Sequence, residues 1–184
     1  RVPIYYFDGP GIWTINATIL DTNETVAQNI TSNLTIRSTL AVTLGPSSLA
    51  WPSNIGLTST NTTATNSPVV INNTGNQNMS AGNIRVQALD LAGETTPTTL
   101  LNASNFTVSS RTSGSKIECA GTRLTNNTIV GIVNAGLVKG NNTWNYNNFT
   151  SGQATLYFCL AEVTAGISQQ SYSTRGVAWT ISVV

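Results

Sequence analysis

The sequence predicts an all-β fold, an antiparallel β-sandwich of Ig-like or jelly-roll type with an N-terminal β-strand extension. Three observations lead there. Apolar and polar residues alternate with period 2 along most of the chain. Helical periodicity is nearly absent, and clusters rich in Gly, Asn, Asp and Ser separate the alternating runs. The 184 residues suffice for one good core and an accessory piece.

The elements follow in order. In "GIWTINATIL", Trp13, Ile15, Ala17 and Ile19 fall on one face, and Asn16 and Thr18 on the other. The stretch "TVAQNITSNLTIRSTLAVTL" then keeps one phase for about 19 residues, roughly 60 Å if extended. Its even positions carry Val26, Ile30, Leu34, Ile36, Leu40, Val42 and Leu44, and its odd positions carry Asn29, Asn33 and Arg37. Strands usually run ~3–10 residues, so this stretch leaves one β module and enters another, with the junction near residues 37–39. Residues 1–37 form the extension and residues 38–184 the sandwich. Within the sandwich, strands are expected near 40–44, 56–60, 68–73, 83–90, 104–109, 115–119, 128–133, 153–161 and 176–183. "ATLYFCLAEV" is apolar on both phases and reads as a central strand; "VAWTISVV" puts Val177, Trp179, Ile181 and Val183 in phase.

Composition indicates where the protein works. Charged residues make up 8%, against about 25% in ordinary globular proteins. Net charge is +1 without a basic patch, which disfavours nucleic-acid partners and anionic membranes. No apolar run approaches the ~20 residues of a membrane helix, so no membrane span is expected, nor the apolar N-terminal helix of a type IV pilin. N-glycosylation sequons occur at Asn16, Asn23, Asn29, Asn33, Asn61, Asn72, Asn78, Asn102, Asn105, Asn126, Asn141 and Asn148. Twelve sequons point to an exported, cell-surface protein whose N-linked glycans supply the solubility that charges do not. Cys119 and Cys159 are then expected to form a disulfide; two buried free thiols are the other reading.

Residues 5–36 resemble the second half of a polycystic kidney disease (PKD) type Ig-like domain. The pieces are Tyr6, Pro10-Gly11, "IWTINATIL", Asp21 with Asn23, and "NITSNLTI". The resemblance implies a buried aromatic position at Trp13, and Glu24 stands where a turn Gly is usual. The first half of such a domain, with its Gly-Asp-Gly strands, is absent from this sequence. Residues 40–184 resemble sandwiches of archaeal and bacterial surface proteins, through "INNTGNQNM" and "YFCL…WTISVV". A two-stranded fragment is marginal in water, so Trp13, Ile15, Ile19, Ile30 and Leu34 need a partner surface.

Chemistry-bearing patterns are few. The chain has no His, which removes Ser-His-Asp and Cys-His systems and His-ligated zinc. It has no CxxC and no phosphate-binding loop. Among the seven carboxylates, Asp21, Asn23 and Glu24 are either calcium ligands or a hairpin turn held by Asx hydrogen bonds; Asp90 and Glu94 flank a second turn. Trp51 and Trp144 either stack on sugars or pack beneath loops. No catalytic, metal or cofactor site is expected, and the chain is read as a non-enzyme.

The leading expectation is a structural subunit of an extracellular glycosylated filament, assembled by β-strand donation between copies of this chain. The donor contacts would be Ile4, Tyr6, Trp13, Ile15 and Ile19. This architecture is similar to that of bacterial donor-strand pili and archaeal thread-like filaments. The alternatives are a module of a cell-surface, S-layer or adhesin protein, and a carbohydrate-binding module.

Overall fold

The computed structural model describes residues 3–110, 119–142, 149–150 and 152–184, with the backbone alone at 141–142 and 149–150. The expected strand at 115–119, Trp144, Glu118 and the sequon at Asn148 lie outside these residues or at their edge. The chain is all-β, with several antiparallel sheets packed as a sandwich.

The first element is a long hairpin. β1 (Gly11–Leu20) and β2 (Val26–Ile36) pair with each other and with no other described strand. The turn between them is built by Asp21. Its Oδ1 accepts the N–H groups of Asn23 and Thr25, both at 2.8 Å, which is the Asx turn of a tight connection. β2 ends at Ile36, residues 37–41 are irregular, and β3 (Val42–Gly45) opens the sandwich.

The hairpin register corrects the single-phase reading of residues 26–44. Pairing runs Trp13↔Leu34 and Ile15↔Ser32, then resumes at Ala17↔Asn29 after a bulge in β2. One extra β2 residue is absorbed there, so the two parts of β2 point their alternate side chains in opposite senses. Directly opposed residues share a face. Asn29 therefore lies on the Trp13 face and Asn33 on the other, although their spacing suggested a common side. Asn29 itself holds the bulge, its Oδ1 accepting the Thr31 N–H and hydroxyl, each at 2.9 Å.

One sheet of the sandwich centres on β14 (Gly152–Glu162). Its first half pairs with β5 (Val69–Asn73), which pairs in turn with β3. Its second half lies between β4 (Thr60–Thr63) and β9 (Phe106–Ser109), and β10 (Thr122–Arg123) adds beyond β9. One phase of "ATLYFCLAEV", Leu156, Phe158 and Leu160, enters the core, and on the other Cys159 is bonded to Cys119. Leu156, Phe158, Cys159 and Leu160 are buried. β4 begins four residues later than the sequence suggested, because residues 56–59 close a turn.

The facing sheet centres on β6 (Ile84–Ala88), continued by β7 (Leu91–Gly93). β16 (Thr180–Val183) and β15 (Tyr172–Ser173) line one edge of this pair; β11 (Thr128–Gly131) and β8 (Leu100–Leu101) line the other. A short pair, β12 (Asn141–Asn142) with β13 (Phe149–Thr150), completes the set. The strict alternation of burial in β5 and β6 gives the core its two inner faces, through Val69 and Ile71 against Ile84, Val86 and Ala88.

Cys119 and Cys159 are joined, with Cα atoms 5.1 Å apart, tying β14 to the segment before β10. The bond closes a span of 40 residues, worth about 4 kcal/mol in the chain-entropy account.

Candidate functional site

The arm comes first. β1 and β2 contain no charged residue. The bulge leaves Trp13, Ile15, Ala17, Ile19, Ala27, Leu34 and Ile36 on one face, interrupted by Ser32 and Asn29. Nothing in the described chain covers that face: Trp13 is 41% exposed and Ile19 71%. The buried aromatic position that the PKD resemblance implies for Trp13 is thus open to solvent here. Its indole N–H is held locally, donating to the Gly9 carbonyl at 3.0 Å. The opposite face is mostly polar. Asn16 Oδ1 there accepts from Gln28 Nε2 at 2.7 Å, beside Thr18 and Asn33.

Of the expected contact residues, the fold gathers Trp13, Ile15 and Ile19 on one surface. Ile4 and Tyr6 are exposed but lie on the segment before β1, outside the sheet. That segment is a turn, with the Asp8 N–H donating to the Tyr5 carbonyl and the Tyr5 N–H to Asp8 Oδ2. Phe7 is 6% exposed and stacks on Tyr5 at 5.4 Å between ring centroids. Phe7 is therefore packed and not part of the open surface.

The arm is fixed at its root. Asn76 is buried and clamps the linker, its Nδ2 donating to the Arg37 carbonyl at 2.9 Å and its Oδ1 accepting the Thr39 N–H at 2.8 Å. The Asn76 N–H returns a bond to the Thr39 carbonyl, and Thr74 and Gly75 donate to Ala41. Gly75 is required at this close approach, since a Cβ there would collide with the Thr39 carbonyl.

The second feature is a cleft of about 1120 Å³. It lies where the outer edges of β3 and β16 face each other, and neither edge is paired by another described strand. Leu44 of β3, Tyr172 of β15, Trp179 just before β16 and Ile181 of β16 line its walls, with Leu49, Trp51, Ile55 and Leu57 from the connection between β3 and β4. No Asp, Glu, Lys or Arg lines it. Beneath it is an aromatic cluster. Phe106 sits edge-on to Trp51 at 5.0 Å and to Trp179 at 5.2 Å. Both indole N–H groups are satisfied by backbone, Trp51 on Thr62 and Trp179 on Leu89. Trp51 is thus a packing residue whose polar edge is already engaged.

The sequons divide by burial. Asn16, Asn23, Asn29, Asn33, Asn61, Asn78, Asn102 and Asn126 are exposed, and Asn72 is half-buried. Asn105 differs: it is 4% exposed and its Nδ2 donates to Thr164 Oγ1 at 3.1 Å, a contact that a glycan on that nitrogen would displace. No charge marked it as buried in the sequence. Its place at the end of the Ala103–Asn105 turn, entering β9, decides it.

The carboxylates hold structure. Asp90 Oδ1 accepts the Ala103 N–H at 2.7 Å, Glu94 accepts from the Ser173 hydroxyl, and Glu162 pairs with Arg123 at 3.0 Å on the surface. Among the described residues no three His, Cys, Asp or Glu side chains converge as a metal site, and no helix is long and apolar enough to cross a membrane.

Fold and site together define an antiparallel β-sandwich with an open, uncharged cleft and a hairpin arm whose two strands carry no charge. No family model matches the chain, and no curated protein or solved structure is recognisably similar to it.

Proposed function

We propose that the chain is a structural subunit of an extracellular, glycosylated filament, in which the β1–β2 arm of one copy docks on the next. The observation that carries this reading is the arm itself: an uncharged, largely apolar sheet face with no cover in its own described chain. Full burial of an exposed side chain of this kind contributes roughly 1.5–3 kcal/mol, and docking adds the part that Trp13, Ile15 and Ile19 still expose. That gain must exceed the cost of association. The Asn76 clamp lowers this cost by fixing the arm's root beforehand. The unpaired outer edges of the hairpin add backbone hydrogen bonds on docking. An arm that binds a different surface of an identical subunit makes a heterologous contact, which does not close and so propagates. The polar face, with Asn16 and Asn33, is left for glycans.

The test is electron microscopy and size-exclusion chromatography of the native material, beside a full-length Trp13→Asp variant. Filaments from the native chain and monomers from the variant are expected, with the same near-ultraviolet circular dichroism from the sandwich. A native chain that remains monomeric at high concentration overturns the filament reading in favour of a surface module.

A further inference from the structure

We infer that the acceptor for the arm is the cleft between β3 and β16. The Trp13 face of β1 from a second copy lies in it over Trp51 and Trp179, and an outer edge of the hairpin adds to one of the two free strand edges. This inference rests on the filament reading and gives it a second surface.

Three observations select this occupant. The first is charge. The cleft lining and the two arm strands are both without Asp, Glu, Lys or Arg, so docking strands no charge in an apolar site. The second is edges. Cleft and arm each present unpaired strand edges, and the connection at residues 46–59 crosses the gap without forming a strand of its own. A segment that enters in extended form therefore finds both an apolar floor and open backbone partners, the requirements of β-augmentation. The third is size. At about 1120 Å³ with one side open, the cleft exceeds the ~300–1,000 Å³ of ordinary small-molecule sites. It suits several side chains in a row, which β1 offers at alternate positions.

Two full-length variants test this. Trp13→Asp disables the arm and keeps the cleft. Leu57→Arg places a charge at the cleft rim and keeps the arm; Leu57 is 53% exposed, so the change leaves the core closed. Leu44→Glu is an independent second rim variant. Each variant alone is expected to stay monomeric. Mixed in equal amounts, Trp13→Asp and Leu57→Arg should form a one-to-one dimer and nothing longer, because one intact arm meets one intact cleft. Repeating the mixture with Leu57→Arg carrying Trp13→Asp as well should abolish the dimer. If the native chain forms filaments and both rim variants do so equally, the cleft is not the acceptor, though the filament reading stands. If the native chain forms filaments and the mixture stays monomeric, the arm-in-cleft pairing is wrong. If native chain and mixture are both monomeric, both readings fall.

Discussion

Glu24 sits at φ 62° in the turn between β1 and β2, a left-handed conformation that costs an L residue about 1–2 kcal/mol. The PKD resemblance implies a Gly at this position, the residue that adopts a positive φ without steric cost. Glu24→Gly should remove most of that strain and steady the arm. Hydrogen exchange of the β1 and β2 amides is the measurement, and about a fivefold gain in protection is expected from ~1 kcal/mol; unchanged exchange would show that the turn does not limit arm opening. Asn76 is the opposite case. It lies in "INNTGNQNM", legible only as turn chemistry, because its partners Arg37 and Thr39 are nearly forty residues away in sequence. Asn76→Ala removes two part-buried hydrogen bonds, to the Arg37 carbonyl and the Thr39 N–H, at about 0.5–1.5 kcal/mol net for each. Urea denaturation should report that loss, and a midpoint equal to the native one would contradict the clamp.

At the scale of elements, the alternation in "GIWTINATIL" and in "VINN" and its neighbours was enough to place most strands, since half-buried strands require period 2. The bulge was not legible. Val26, Ile30, Leu34 and Ile36 share one phase in sequence, but face is decided by cross-strand pairing, and one extra residue in β2 reverses it between Ser32 and Asn29. The cleft was illegible for a related reason: Leu49, Ile55 and Leu57 look like ordinary loop residues until two free edges are seen on either side of them. The bulge changes what is expected of the glycans. Asn16 and Asn33 lie on the polar face, whereas Asn29 lies on the docking face and is engaged in the bulge. Glycopeptide mapping of filaments should find Asn16 and Asn33 occupied and Asn29 and Asn105 bare. A glycan on Asn29 in assembled material would mean that the Trp13 face does not dock over that length.

For the whole molecule, scarcity of charge becomes a statement about forces. Net charge is +1, and the one ion pair among the described residues, Arg123 with Glu162, is half exposed and belongs to neither the arm strands nor the cleft lining. Surface pairs of that kind are screened at high ionic strength, where the Debye length falls to about 3 Å at 1 M salt. An assembly held by ionic contacts would therefore come apart as sodium chloride rises. One held by Trp13, Ile15 and Ile19 against Trp51 and Trp179, with backbone hydrogen bonds along the strand edges, has no such term to lose. Sulfate should strengthen it, because salts excluded from the protein surface favour apolar burial. The expected result is a pelletable filament fraction that stays level from low to high sodium chloride and rises in ammonium sulfate below the salting-out point of the Trp13→Asp variant. That variant separates assembly from simple precipitation, since it keeps the sandwich surface and lacks only the intact arm face. Dissolution of the filaments in sodium chloride would place the contact on charged residues outside both surfaces and would remove the physical basis for arm-in-cleft docking.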